Sequence, residues 1–157
     1  MPIPIHKADQ LKPPPDQSRL GFGTIFTDHM FNMDYSLDGG WQAARIEPYG
    51  SIEMDPATMF LHYAQGVFEG LKAYRTGSGD LQLFRPQENM KRLNRSCRRL
   101  CIPKFDETFA LDAMKQLIGM EQEWVPGQPE TSLYIRPTII ATDPFLGVRA
   151  SHTFRFF

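Results

Sequence analysis

Hydrophobic and polar positions divide the N-terminal half of the chain into strand-like runs. From Gly23 to Tyr35, GTIFTDHMFNMDY is rich in aromatic and β-favouring residues and predicts a strand, and LDGGW predicts the turn that follows it. The runs FEGLKAYR and LQLFR are joined by TGSGD, which is a strong turn signal. We therefore expect a hairpin from about Val67 to Phe84.

The pattern changes to a helical period after Pro86. Apolar residues recur at helical spacing until Pro103 stops the run, at Met90, Leu93, Cys97 and Leu100. A second helix is expected from Asp106, a plausible N-cap, and it presents an apolar side made of Phe109, Ala113, Leu117 and Met120.

Two further strands are predicted near the C-terminus. TSLYIRPTIIAT and SHTFRFF both favour strand, and Pro137 inside the first indicates an edge or bulged position. Strands therefore come first, then two helices, then strands again. This order predicts an α+β fold, a mostly antiparallel sheet with two helices packed on it.

The first 16 residues differ in composition from the rest. Residues 1–16 form a proline-rich arm that we expect to be extended and poorly packed unless a partner holds it, and 17–157 form one domain. No apolar run resembles a secretory signal or a membrane helix. A cytoplasmic protein without a membrane partner is expected.

Composition excludes several classes of function. With 41% hydrophobic residues, 22% charged residues and a net charge of -1, the chain is typical of a globular protein. The four histidines are scattered without metal-ligand spacing, so no metal site is expected. Cys97 and Cys101 are expected to be reduced, half-buried thiols, since cytosolic chains seldom use structural disulfides.

The first predicted helix is strongly basic and leaves three interpretations open. Its cationic side chains are Lys91, Arg92, Arg95, Arg98 and Arg99. They could form a solvated face above the apolar stripe, a nucleic-acid surface, or a site for a small phosphate ligand. Nucleic acid is disfavoured because the rest of the chain balances this charge and no aromatic residue interleaves with it.

One stretch, HYAQGVFEGLKAYR from His62 to Arg75, is hard to explain as ordinary core because it combines aromatic residues, glycines and an acid, Glu69. Together with LQLFRPQENMKRLNRSCRRLCIP, SLYIRPTIIATDPFLGV and FGTIFTDHM, it resembles the branched-chain amino acid aminotransferases, which are pyridoxal phosphate enzymes of fold type IV. The four segments occur in the family's order, and the resemblance runs from about Lys12 to the C-terminus. It implies the fold of the family's small N-terminal domain.

The resemblance implies roles for seven residues. Arg92, in NMKRL, matches the arginine that binds the cofactor phosphate. Phe68 and Tyr134 match aromatic residues of the substrate pocket. The remaining four match residues that reach the neighbouring subunit's active site, namely Tyr63, Arg136, Leu146 and Val148. This implies self-association, as in a homodimer, with amino acids and 2-oxo acids as substrates and no nucleic acid.

The chain departs from the family in length. Members are considerably longer, and their Schiff-base lysine lies in a second domain to which none of the chain's lysines corresponds. We therefore expect no catalytic residue in this chain and no transamination by it alone. The resemblance leaves open whether it binds pyridoxal phosphate by itself. Two readings remain: a truncated or split branched-chain aminotransferase, or a non-catalytic binding or dimerisation module derived from one.

Overall fold

The computed structural model describes residues 3–157 and contains eight strands in two sheets. In chain order its elements are β1 (His29–Ser36), β2 (Gly40–Pro48), α1 (Met59–Tyr63), β3 (Gly66–Phe68), β4 (Leu71–Arg75), β5 (Leu81–Leu83), α2 (Pro86–Arg99), α3 (Glu107–Met120), β6 (Leu133–Ile135), β7 (Thr138–Ala141) and β8 (Thr153–Phe156). The five-stranded sheet has the order β2-β1-β8-β7-β3, and the three-stranded sheet has the order β5-β4-β6. Every pairing between these strands is antiparallel, which confirms the predicted α+β class.

The predicted hairpin exists, but it is shorter than expected. Strands β4 and β5 pair through the TGSGD turn, with Ala73 opposite Leu83. The preceding residues, Gly66–Phe68, pair with β7 in the other sheet instead. The first predicted strand is also shortened and begins at His29. The carbonyls of Phe26 and Thr27 accept hydrogen bonds from the Lys12 ammonium rather than from a neighbouring strand.

Helix α2 packs through the predicted stripe. Met90, Leu93 and Cys97 are completely buried, and burial raises the pKa of the Cys97 thiol to about 12. Leu100 was expected in the same stripe but is 43% exposed, because it lies at the C-cap, beyond the last helical turn. Cys101 is exposed as well, so the two thiols lie in different environments and neither is half-buried.

Helix α3 begins where predicted but turns a different side to the core. The Asp106 carboxylate accepts hydrogen bonds from the amides of Thr108 and Phe109, as an N-cap does. The buried side chains are Ala110, Leu111, Ala113, Met114 and Ile118. The other three residues of the predicted side, Phe109, Leu117 and Met120, only flank the core. Apolar residues surround most of this helix, so their spacing did not single out one face.

The described part of the N-terminal arm, residues 3–16, is mostly exposed but is attached to the domain at a few points. Ile3 is buried, and the amide of Ile46 donates to the carbonyl of Pro4 while the amide of His6 donates to the carbonyl of Ile46. The arm therefore adds backbone hydrogen bonds along β2 without any partner chain. Its prolines leave fewer amides to satisfy, and the amides of His6, Ala8 and Lys12 find acceptors in the domain.

A buried His29–Glu121 pair fastens the arm further along. The two side chains are 5% and 4% exposed, and His29 Nδ1 lies 2.5 Å from Glu121 Oε1. The other ring nitrogen of His29 accepts the amide of Ala8 at 2.9 Å. The Asp28 carboxylate accepts the amide of Lys12 at 3.0 Å. These polar side chains link the arm to β1 and to the end of α3.

The described residues were also compared with the requirements of a membrane-spanning helix and of a metal site. Within residues 3–157, every helix is too short or too polar to cross a bilayer. The same residues contain no cluster of three or more His, Cys, Asp or Glu side chains that could bind a metal ion.

The N-cap of α3 provides a direct test of this fold. Asp106→Ala should lower the free energy of unfolding by about 1 kcal/mol, because two amides of the first turn lose their acceptor. Asp112→Ala is the matched control on the same helix, since Asp112 is exposed and its nearest cation, Lys115, is 3.7 Å away. Its effect should stay within about 0.5 kcal/mol. Equal losses for the two variants in chemical denaturation would contradict the cap.

Candidate functional site

The chain crosses between its two sheets twice, at adjacent points that we call the double crossing. Residues 69–70 join β3 to β4, and residues 136–137 join β6 to β7. Because β3 pairs with β7 and β4 pairs with β6, the two connections lie side by side. The amide of Glu69 donates to the carbonyl of Pro137 at 2.9 Å and ties them together. Pro137 thus separates two strands that belong to different sheets, rather than bulging one long strand.

A buried carboxylate at the double crossing binds an exposed arginine of α2. Glu69 is 5% exposed, whereas the Arg92 side chain is 56% exposed. Arg92 Nε lies 2.5 Å from Glu69 Oε1, and Arg92 Nη2 lies 2.6 Å from Glu69 Oε2. Asn89, one turn earlier on α2, donates to Glu69 Oε2 at 3.2 Å. The bidentate geometry fixes the plane of the guanidinium group.

The pair keeps Glu69 ionised. Desolvation, the largest single effect, raises the pKa of Glu69, but hydrogen bonds from Arg92 and Asn89 and the charge of Arg92 together hold it below its usual value. The same pair raises the pKa of Arg92. The stabilisation from Glu69 is therefore present at neutral pH and is lost as the pH falls through its lowered folded-state pKa.

Two residues predicted for the substrate pocket, Phe68 and Tyr134, lie on the other side of the double crossing. There they meet Arg136, which was predicted to reach the neighbouring subunit's active site. The Arg136 guanidinium donates to the Tyr134 hydroxyl at 3.0 Å and 3.2 Å. Its central carbon lies 4.4 Å from the centroid of the Phe68 ring, a cation–π distance. Phe68 is 60% exposed, so its ring and the arginine form an open surface. The structure thus brings together Phe68, Tyr134 and Arg136.

The close approach of Tyr134 explains Gly70. A Cβ atom at Gly70 would lie 2.3 Å from the Tyr134 hydroxyl oxygen, far inside van der Waals contact. The connection between β3 and β4 therefore needs glycine at this position for the tyrosine ring to lie across it.

The remaining predicted residues form a second group. The Tyr63 hydroxyl, at the end of α1, donates to the carbonyl of Leu146. Leu146 is 59% exposed and Val148 is 95% exposed. This loop presents its apolar side chains to solvent, and no hydrogen bond joins it to Arg92 within the described chain.

A large, mainly apolar cavity is next to the site but does not contain all of it. It has a volume of about 450 Å³, lies beneath residues 15–27 and is walled mainly by apolar side chains of α3, β1 and β6. Tyr134 and Arg136 line it, whereas Phe68 and Arg92 do not. We place the candidate site at the double crossing because the charged and oriented groups are there.

The arrangement is suited to binding anions at two points. Arg92 and Arg136 each have an exposed guanidinium group, and each is oriented by a neighbouring side chain. Lys91 is paired with Glu88 at 2.9 Å, so part of the positive charge on α2 is neutralised locally. This favours the interpretation of a small phosphate ligand over that of a nucleic-acid surface.

Glu69 and Asn89 are the members of this site to which the sequence had assigned no role. The acid between Phe68 and Gly70 was noticed, but its partner lies 23 residues away on another element. The only available signal was the unusual placement of an acid in an otherwise strand-like run.

Comparisons with known proteins show which proteins the chain resembles. A Bacillus subtilis (strain 168) protein named branched-chain-amino-acid aminotransferase 2 is 57% identical over 153 residues, which cover 98% of this chain and 42% of the relative. A second protein of that organism, branched-chain-amino-acid transaminase 1, is 54% identical over 154 residues, or 98% of this chain and 43% of the relative. Nearly the whole chain is therefore similar to part of two proteins named as branched-chain aminotransferases. The chain spans less than half the length of these relatives, and no protein-family model matches it.

Solved aminotransferase structures share the fold. A branched-chain aminotransferase from Thermoproteus uzoniensis with norvaline gives a TM-score of 0.60 at 23% identity, covering 82% of this chain and 40% of that one. The Thermobaculum terrenum enzyme, described in its PLP-form, gives a TM-score of 0.54 at 19% identity, covering 80% and 38%. These branched-chain aminotransferases confirm the predicted small-domain architecture.

The contact between Gly70 and Tyr134 can be tested by substitution. Gly70→Ala should destabilise it by about 1–3 kcal/mol, because the new methyl group must displace the tyrosine ring. Gly77→Ala is the control, since a Cβ there meets nothing within 4 Å. The free energy of unfolding should therefore be lower for Gly70→Ala than for Gly77→Ala. An unchanged free energy of unfolding in Gly70→Ala would refute the close packing.

Proposed function

We propose that this chain supplies the phosphate-binding and substrate-binding surfaces of a pyridoxal phosphate-dependent branched-chain aminotransferase. The observation that carries the proposal is the Arg92 guanidinium, oriented by the buried carboxylate of Glu69, with Tyr134 and Arg136 on the other side of the same double crossing. The identity of 57% to a protein named for this activity supports it.

Arg92 has the properties that a phosphate ligand requires. Its Nε and Nη2 atoms donate to Glu69, whereas Nη1 has no recorded partner among residues 3–157. A phosphate would meet this free edge while Glu69 holds the plane of the guanidinium. Since more than half of the side chain is exposed, the anion has access without displacing the pair.

The surface formed by Phe68, Tyr134 and Arg136 fits an amino acid or a 2-oxo acid. Arg136 can donate to a carboxylate through the donor positions that its contacts with the Tyr134 hydroxyl leave free. The exposed ring of Phe68 offers apolar area to a branched side chain. The Tyr134 hydroxyl adds a polar group that orients the ligand.

The reaction needs groups beyond this surface. Pyridoxal phosphate, when bound, supplies the electron sink for chemistry at the α-carbon. A lysine that anchors it is generally desolvated, but all six lysines here are exposed, including Lys72, which lies opposite Tyr134 across β4 and β6. We therefore propose that the anchoring lysine comes from outside these 157 residues and that this chain alone does not transaminate.

The second group fits a subunit boundary. Leu146 and Val148 expose apolar surface on one loop, and Tyr63 ties the loop to α1. We propose that this surface associates with a second copy of the chain, as in a homodimer.

The role of Arg92 is tested by titrating the chain with pyridoxal phosphate and with pyridoxal, which lacks the phosphate. The phosphorylated compound should bind at least about tenfold more tightly, a difference of about 1.4 kcal/mol, because the free edge of Arg92 meets the phosphate. Arg92→Ala should abolish this preference. Arg98→Ala, on an exposed position of the same helix, should retain it.

Folding is checked for each variant by thermal unfolding, because Arg92→Ala leaves the buried Glu69 carboxylate with only Asn89 and the amide of Gly70 as donors. Equal affinity for the two compounds in the unmodified chain would overturn the role assigned to Arg92. If Arg92→Ala and Arg98→Ala lowered the preference for pyridoxal phosphate equally, α2 would act only as a general basic face.

A further inference from the structure

The face of the five-stranded sheet that turns away from the helices is polar. On β1 and β2, alternate residues such as Phe31, Met33 and Ile46 join the core. The intervening side chains on this face include Asn32 and Asp34 of β1, Arg45 and Glu47 of β2, and Arg155 of β8. They form a charged network that plays no part in the site proposed above.

The network pairs most of its own charges. Asp34 accepts Arg155 Nε at 2.7 Å and Arg45 Nη1 at 2.8 Å. Glu47 accepts Arg45 Nε at 3.0 Å and the Asn32 amide nitrogen at 2.7 Å. The bond to Glu47 fixes the orientation of the Asn32 amide, since its nitrogen must face the carboxylate.

This orientation leaves the other end of Asn32 without a partner. Asn32 is 2% exposed, and its Oδ1 is the buried side-chain atom within residues 3–157 that no donor reaches. Buried carbonyl oxygens are nearly always hydrogen-bonded, so Oδ1 is an acceptor that lacks its donor. Asn32 lines a cavity of about 220 Å³ that residues 50–53 cover.

The same cavity is lined by charged side chains of both signs. Glu53 lines it and has no recorded ion-pair or hydrogen-bond partner in the described chain. Arg155 lines it too, and only its Nε is used, so both Nη groups can donate. The wall therefore offers acceptors at Asn32 and Glu53 and donors at Arg155.

We propose that this cavity binds a small free amino acid in its zwitterionic form. The ammonium group would donate to Asn32 Oδ1 and Glu53, and the carboxylate would accept from Arg155. Ligand pockets for drug-sized molecules are about 300–1,000 Å³, so a smaller cavity favours an amino acid with a short side chain. Met30 and Ile52 supply the apolar lining for that side chain. The cavity shares no lining residue with the double crossing, so this is a second site.

The test is a titration of the full chain with L-alanine, followed by amide NMR shifts. Saturable shifts should concentrate at residues 50–53 and at the Asn32 side-chain amide. Methylammonium and acetate, which each carry half of the zwitterion, should bind at least about tenfold more weakly. No saturable shift would mean that water alone meets Asn32 Oδ1, and affinity for methylammonium equal to that for alanine would reduce the site to a cation site. Either result overturns the proposal.

Variants separate this site from the double crossing. Glu53 lies on an exposed loop, so Glu53→Gln is expected to fold and should weaken alanine binding about tenfold. A folded Asn32→Leu variant should weaken alanine binding to a similar extent. Glu123→Gln, another exposed acid, is the matched control and should leave the affinity unchanged. Arg136→Ala should leave the shifts at residues 50–53 intact. Loss of those shifts in Arg136→Ala, or equal affinities of Glu53→Gln and Glu123→Gln, would contradict a second site.

Discussion

The ion pair between Glu69 and Arg92 is the interaction on which the site depends. A carboxylate that is 5% exposed can remain ionised only if donors surround it, and Arg92, Asn89 and the amide of Gly70 provide them. Because Arg92 and Asn89 belong to α2 while Glu69 lies where β3 leads into β4, the pair joins the helix to both sheets. It also leaves one edge of a strong anion-binding group facing outward.

The double crossing concentrates function for a geometric reason. Where a chain leaves one sheet and enters another, side chains of both sheets converge, and glycine is needed wherever a ring lies across the backbone. Gly70 meets that need beneath Tyr134. The proposed phosphate and carboxylate contacts therefore come from elements that are distant in sequence but held rigidly together.

Local signals predicted the elements better than the connections between them. The TGSGD turn, the stripe of α2 and the Asp106 cap depend on neighbours in sequence, and each was found. Which sheet receives Gly66–Phe68, and the packing of the arm against Ile46, depend on partners distant in sequence. Strand β2 and the short helix α1 were not anticipated. The ordered motifs identified the family and thereby named Arg92, but Glu69 emerged only once α2 had been placed beside β3.

The most direct test of the central claim is a double-mutant cycle on Glu69 and Arg92, measured in the free energy of unfolding. We expect a coupling free energy of about 1 kcal/mol from Glu69→Gln, Arg92→Met and the double variant. This value is low for a hydrogen bond between charged groups because solvent screens the partly exposed Arg92. The exposed pair of Lys91 and Glu88 on the same helix should give no more than about 0.5 kcal/mol. Coupling at Glu69 and Arg92 well above that of the surface pair is the predicted result. Strict additivity of the two substitutions would contradict a guanidinium held in place by the buried carboxylate.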